Sequence, residues 1–436
     1  MAHKLKTDYP LPPQDAAVQM IDNVSDNNFE MCTKCTICTV YCPVTPVNPI
    51  YPGPKQGGPD GERYRLKKPE FYDEALKYCL NCKRCEVACP SDVKIGDIIQ
   101  AARIKYTPHR PSFRDSMLAD TDRMGTLATA VAPIVNFSLG LKPVKWLMDS
   151  VTGIAKERTF PSYASQKFIT WYNREAREAQ KQYARQVTYF HGCYVNYNYP
   201  QLGKDLVKVM NAVGYGVEVM EREKCCGVAK ISNRLIKEAT RDARRNIECI
   251  TEAVDRGNAV IGTSSTCIFT IRDEYPHLLN LEVEHIRPHV MLATKFLFEL
   301  YESGKIKFVF KPDFRRKVAY HTPCHMLKLG WQYYSTELMK LIPGVELVIL
   351  DSYCCGIAGT YGFKKENYQY SQGIGEPLFD LIREVNPDVV ASDCETCKWQ
   401  IDMSTDYTVI NPISLLAEAI DTEQTAMANM GFRAMQ

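Results

Sequence analysis

The 436-residue sequence has almost no imbalance of charge: 53 lysines and arginines face 51 aspartates and glutamates, a formal net charge of +2. So weak a field excludes a polyanion, and no nucleic-acid partner is expected. The opening residues MAHKLKTDYPLPPQDAAVQM hold neither the apolar core of a secretory signal nor a twin-arginine pair, which predicts a chain kept on the cytoplasmic side. No run reads as a membrane span. One uncharged stretch, Met124 to Leu141, has the length, but it contains Pro133, two glycines and Asn136 and falls well short of a leucine-rich span. It continues as KPVKWLMDSVTGIAK, where Trp146, Leu147 and Val151 accompany Lys142, Lys145 and Lys156. That character suits helices lying on a bilayer surface or packing against protein. A nucleotide loop is missing as well, since the glycines of GIAGTYG at 356–362 do not have the G-x-G-x-x-G spacing. Without a flavin or nicotinamide fold the chain cannot by itself take a hydride from an alcohol. No catalytic residue is expected, and dehydrogenation falls to a partner.

Cysteine, by contrast, is abundant, with eighteen in all. Eight stand in two copies of C-x2-C-x2-C-x3-C-P: Cys32, Cys35, Cys38, Cys42-Pro43 and Cys79, Cys82, Cys85, Cys89-Pro90. In that pattern three thiolates hold one iron-sulfur cubane and the fourth reaches across to the other. The expected ligand sets are Cys32, Cys35, Cys38 with Cys89, and Cys79, Cys82, Cys85 with Cys42, for two 4Fe-4S clusters. A pair of structural zinc sites is the alternative, although zinc usually draws on two separated pairs.

The spacing of motifs divides the chain into an N-terminal unit over 1–110, a helical connector over 111–185, two copies of one module over 186–310 and 311–420, and a mobile tail over 421–436. The duplication is visible as a constant offset: Cys193 precedes Cys324 by 131 positions, Cys225-Cys226-Gly227 precedes Cys354-Cys355-Gly356 by 129, and Cys267 precedes Cys397 by 130. Each copy runs as three short strands, each ending at cysteines, with helices between. The strands are VTYFHGC, GVEVMEREKCCG and AVIGTSSTC in the first copy, and VAYHTPC, VELVILDSYCCG and DVVASDCETC in the second. A βαβαβ order predicts parallel sheet, with ligand sites beyond the carboxyl ends of the strands. The fold class is therefore α+β and multidomain, an all-α helical N-terminal unit followed by two α/β copies. Cys249, in RRNIECITEAV, reads as a packed core thiol. His191, His321 and His325 lie beside the first cysteine of each copy, where local hydrogen bonding is the ordinary role and proton donation the functional one.

These cysteines resemble the CCG, or cysteine-rich, domain, C-x(about 30)-C-C-G-x(about 36)-C-x2-C. The family includes heterodisulfide reductase, iron-sulfur subunits of glycolate and lactate oxidation systems, and the iron-sulfur subunits of anaerobic glycerol-3-phosphate dehydrogenase. A two-cluster helical ferredoxin fused to two CCG copies matches the layout of the last group over nearly the whole chain. The N-terminal unit is similar to the helical ferredoxin module of succinate dehydrogenase and heterodisulfide reductase subunits.

The resemblance implies a further iron-sulfur cluster, cubane or noncubane, on Cys324, Cys354, Cys355, Cys394 and Cys397. The first copy has Ser264 where the second has Cys394, leaving Cys193, Cys225, Cys226 and Cys267 for iron-sulfur or zinc. It also implies flavin-containing partner subunits oxidising sn-glycerol 3-phosphate, electrons leaving to the quinone pool, and peripheral attachment to the cytoplasmic face of the inner membrane, with Met124 to Lys156 as the candidate surface. The alternatives are a heterodisulfide or thiol reductase, against which Ser264 counts, and an iron-sulfur subunit of a glycolate or lactate oxidase.

Overall fold

The computed structural model describes residues 29–430; the expected absence of a leader in the first twenty residues, and the last six residues of the expected tail, lie outside the described residues. Every strand among them begins at or after Arg185, and what precedes is helix, turn and loop.

Two short helices, Ile37–Val40 and Arg84–Val87, pack together near the start. Each is entered through a left-handed residue, Thr36 and Lys83, both with φ 65°, and a second left-handed residue stands two positions earlier, Lys34 at 61° and Asn81 at 53°. The two C-x2-C-x2-C segments therefore follow one backbone path. Left-handed geometry costs a non-glycine residue about 1–2 kcal/mol, so the same costly turn, made twice, is a shared feature of the two segments. The helix Ile95–Tyr106 closes this unit by burying Ile95, Ile98, Ile99 and Ala102 against Val44, Tyr51 and Leu76.

The connector is a chain of short helices, Phe113–Ala119, Thr121–Ala130, Ala132–Gly140 and Lys142–Thr152. Pro133 and Pro143 sit in first turns, where the missing N–H costs nothing, and they divide the uncharged stretch into pieces. Among the described residues no helix is long and apolar enough to cross a membrane. Large apolar side chains nevertheless face outward here: Ile134, Phe137, Trp146 and Val151 are 70%, 73%, 63% and 74% exposed.

The first copy forms a four-stranded parallel sheet of β1 (Arg185–Phe190), β2 (Tyr215–Val219), β3 (Ala259–Gly262) and β4 (Val290–Leu292), in the order β2-β1-β3-β4. The second repeats it with β5 (Arg316–Tyr320), β6 (Val345–Ile349), β7 (Val389–Ala391) and β8 (Val409–Ile410), in the order β6-β5-β7-β8. The sequence predicts three strands per copy, and β4 and β8 are the additions. Alternation along the strands sorts the side chains by face. Val187, Tyr189, Val217 and Ile261 of one sheet, and Val318, Tyr320, Val389 and Ala391 of the other, share a single core, while Phe190 with Val260 and Ala319 with Val390 face separate ones. The tail expected from residue 421 begins instead as a helix, Thr422–Asn429, capped by Asp421 and tied to Lys307 through both amide atoms of buried Asn429.

Candidate metal centres

All nine cysteines of the two CCG motifs lie just past the carboxyl end of a strand, where helices begin. Cys193, Cys267, Cys324 and Cys397 fall in the opening turns of the helices Gly192–Tyr197, Ser265–Phe269, Cys324–Leu329 and Glu395–Ser404. Free N–H groups at a helix start favour a thiolate. The glycine of each Cys-Cys-Gly is left-handed, Gly227 at φ 89° and Gly356 at 86°, and the turn aims both preceding thiols at one point. At Gly356 a Cβ would lie 2.0 Å from the Ser371 carbonyl oxygen, so no other residue fits.

In the second copy Cys324, Cys354, Cys355, Cys394 and Cys397 line one small space, close enough that the thiols shift one another's ionisation. The Sγ atoms of Cys355 and Cys397 are 3.2 Å apart. His321 joins them: it is fully buried, neither ring nitrogen has a hydrogen-bond partner, and with Cys355 and Cys397 it forms a trio of ligand atoms within 4.8 Å of one another. Its place three residues before a cysteine gave no reason to separate it from His191 and His325. His191 bonds locally to the Gly192 carbonyl, and His325 stacks on Phe269.

The first copy brings Cys193, Cys225, Cys226 and Cys267 together in the same way. Ser264, in the place of Cys394, caps the helix by accepting from the Cys267 N–H and donates to Glu395 of the other copy at 2.7 Å. Glu223 fixes the opposite side, accepting from the N–H groups of His191 and Gly192. The connector reaches in too, since Asp122 accepts from the Cys225 N–H at 2.9 Å and burial lifts its carboxyl to about 6. Asp122 lies 103 residues from Cys225, and no local pattern announces it. Cys249 is buried in the core of this copy, away from the thiol set.

The N-terminal thiols also converge in the crossed arrangement. Burial pushes Cys38 up, and the charges of Cys32, Cys89 and Cys35 add to it. Burial likewise pushes Cys85 well up, with Glu86, Cys79 and Cys42 behind it. Cys82 lies at the edge of this second group, and it lines one space with Cys324 of the second CCG copy, where the neighbouring thiol and burial push it well up. Arg84 locks that junction by donating to the side chain and carbonyl of Ser352, and Lys328 pairs with Glu86 at 3.1 Å. The two CCG sites abut in turn: the Ser265 N–H and hydroxyl donate to the Asp393 carbonyl at 2.8 and 2.9 Å, and Thr266 lies 3.6 Å from the Cys394 sulfur.

Thiols packed this closely and buried cannot ionise together unless a cation lies among them. Each donor set thus fits a metal, and its all-sulfur composition suits an iron-sulfur cluster or zinc.

The family described as 4Fe-4S dicluster domain matches residues 28–93, and that described as Cysteine-rich domain matches residues 187–272 and 318–402. The chain is 57% identical over 398 residues to the C subunit of anaerobic glycerol-3-phosphate dehydrogenase of Escherichia coli K12, covering 91% of this chain and 100% of that protein. It is 27% identical over 239 residues to the B subunit of fumarate reductase (CoM/CoB) of Methanothermobacter marburgensis, covering 53% of this chain and 45% of that one. With lactate utilization protein A of Bacillus licheniformis it shares 29% identity over 217 residues, 48% of this chain and 87% of the relative. Dicluster motif, duplicated cysteine-rich domain and full-length identity agree: the chain belongs to the family formed by the C subunits of anaerobic glycerol-3-phosphate dehydrogenase.

Proposed function

We propose that this chain is the electron-transfer iron-sulfur subunit of an anaerobic sn-glycerol-3-phosphate dehydrogenase, taking electrons from flavin-bearing partners and passing them to quinone. The observation that carries this reading is that Cys82 lines the same small space as Cys324, Cys354, Cys355, Cys394 and Cys397, which brings the N-terminal thiols to the second CCG site, itself abutting the first. Bound iron-sulfur clusters would supply one-electron carriers at these sites. Cys32, Cys35, Cys38 and Cys89 would hold one 4Fe-4S cluster in an all-α ferredoxin module, and Cys79, Cys82, Cys85 and Cys42 the other. The five thiols Cys324, Cys354, Cys355, Cys394 and Cys397 would hold a third, with His321 beside it. The four of the first copy would hold iron-sulfur or zinc. The exposed apolar side chains between Met124 and Lys156, with Lys142 and Lys145 nearby, support attachment to the cytoplasmic face of the inner membrane.

The test is anaerobic purification with its partners, followed by iron, zinc and sulfide analysis and electron paramagnetic resonance during turnover. A copurifying flavoprotein that reduces the clusters with glycerol 3-phosphate is the expected result. One active on glycolate or lactate instead would overturn the substrate, and zinc in place of iron would overturn the relay. Heterodisulfide cleavage by the chain alone would overturn its reading as an electron carrier.

A further inference from the structure

We infer that the cavity between the connector and the first CCG copy is a binding site for the ring of a lipid-soluble quinone. This deepens the electron-transfer reading above and rests on it.

The cavity has a volume of about 460 Å³. Its floor is the first copy's thiol set, Cys193, Cys225, Cys226 and Cys267. Its walls are apolar, with Met117, Met124, Leu139, Met148, Phe160 and Trp399 among them. Around the second copy's thiols the space is only about 80 Å³, enclosed by the N-terminal module through Leu80, Asn81 and Cys82. The second site gives the scale of a space that serves thiols alone, and the first exceeds it more than fivefold. The surplus falls in the range of small-ligand sites, ~300–1,000 Å³.

What the walls lack selects the ligand. No lysine, arginine or aspartate lines the cavity; besides the thiols its ionisable side chains are Glu395, which accepts from Ser264, and His191, whose Nδ1 is engaged by the Gly192 carbonyl, so the phosphates of a nucleotide cofactor or the carboxylates of a disulfide would find no lysine or arginine there. A fatty acid would match the apolar wall, yet its carboxylate would find no lysine or arginine and would share the cavity with the Glu395 carboxyl, and the thiol floor adds nothing to its binding. A neutral, apolar ring that exchanges electrons matches wall and floor together, and Tyr163, Thr266 and Thr396 supply hydroxyls for its carbonyls. Access matches as well. Leu127 and Val131 line the cavity and are 58% and 47% exposed, and Ile134 and Phe137 extend the apolar rim along the surface. A molecule dissolved in lipid reaches the floor along this rim without crossing a charged surface. There the two ring carbonyls of the quinone accept two electrons, derived from the partner dehydrogenase, and two protons from water, and leave as two hydroxyls.

The test uses the anaerobically purified complex, menadione as competitor and an azido-naphthoquinone as photolabel. The label is expected in peptides covering residues 117–139 and 191–199, displaced by menadione. Leu127→Trp and, separately, Val131→Trp should weaken menadione binding about tenfold, with iron content and cluster spectra unchanged as the control for folding. Label in the chain only outside the cavity lining or on a partner, label that menadione does not displace, or binding untouched by both variants would overturn the inference. So would palmitate displacing the label better than menadione does. If iron is present and the partner reduces it while the cavity stays unlabelled, this inference alone fails; if iron is absent, the electron-transfer reading fails with it.

Discussion

The two CCG copies share one sheet topology, one left-handed glycine and one arrangement of thiols, yet their sites face opposite neighbours. The second is bordered by the N-terminal module, with Leu80, Asn81 and Cys82 lining the space around its thiols, and has five cysteines and a buried histidine. The first has four cysteines and a serine, and opens on an apolar cavity. On the function proposed above, duplication was followed by division of labour, the second copy receiving electrons and the first delivering them.

The sharpest way to break this contrast is Cys324→Ser. It should abolish the second site's metal signal and bring reduction of the first site by the partner to background, while the first four thiols keep their metal; metal analysis and electron paramagnetic resonance read both. Undiminished reduction of the first site would mean that it has its own input. Next come the two glycines. Gly356→Ala sets a Cβ 2.0 Å from a carbonyl oxygen and should cost about 3 kcal/mol or more in urea unfolding, whereas Gly227→Ala, with nothing nearer than 3.9 Å, should cost only about 1 kcal/mol for its left-handed backbone.

A pH dependence separates the junctions. Glu274 of the first copy accepts from Asn81 of the N-terminal module at 2.7 Å, and burial lifts its carboxyl from 4.5 to about 7. A raised carboxyl contributes stability that is complete below pH 4.5 and lost as pH rises through 7, at most about 3 kcal/mol. Glu274→Gln should remove that slope from the stability profile between about pH 4.5 and 7. The smallest effect is Ser264→Cys, which supplies the missing fifth thiol and gives up a helix cap worth about 1 kcal/mol. The first site's spectrum should move toward that of the second. If it does not, His321 is what separates them, and His321→Phe, which copies Phe190 at the matching place in the first copy, should then alter the second spectrum.

Much of this was legible beforehand, because thiol chemistry leaves a spacing in the chain. The ligand sets proposed for the N-terminal unit rest on two adjacent repeats, and six of the eight strands among the described residues follow from runs that end at cysteines. The fourth strands escaped because they are three and two residues long and begin 119 positions apart, at Val290 and Val409, outside the offset of about 130 kept by the rest. The helix after Asp421 is polar along its length, and what orders it is tertiary, the clasp of Asn429 on Lys307. Asp122 against Cys225, Cys82 against Cys324 and the partnerless ring of His321 depend on how modules dock, and no period or motif within one segment encodes that.

The single core shared by both sheets has one more consequence. Val187 and Tyr189 pack in the same cluster as Val318 and Tyr320, so the boundary near residue 310 is a seam in the gene history and no seam in the cooperative unit. A fragment cut there would expose the inner face of its sheet to water and aggregate, and the intact pair should melt in a single calorimetric transition. Two thiol sites built this way are kept at a constant separation by the same side chains that keep the protein folded.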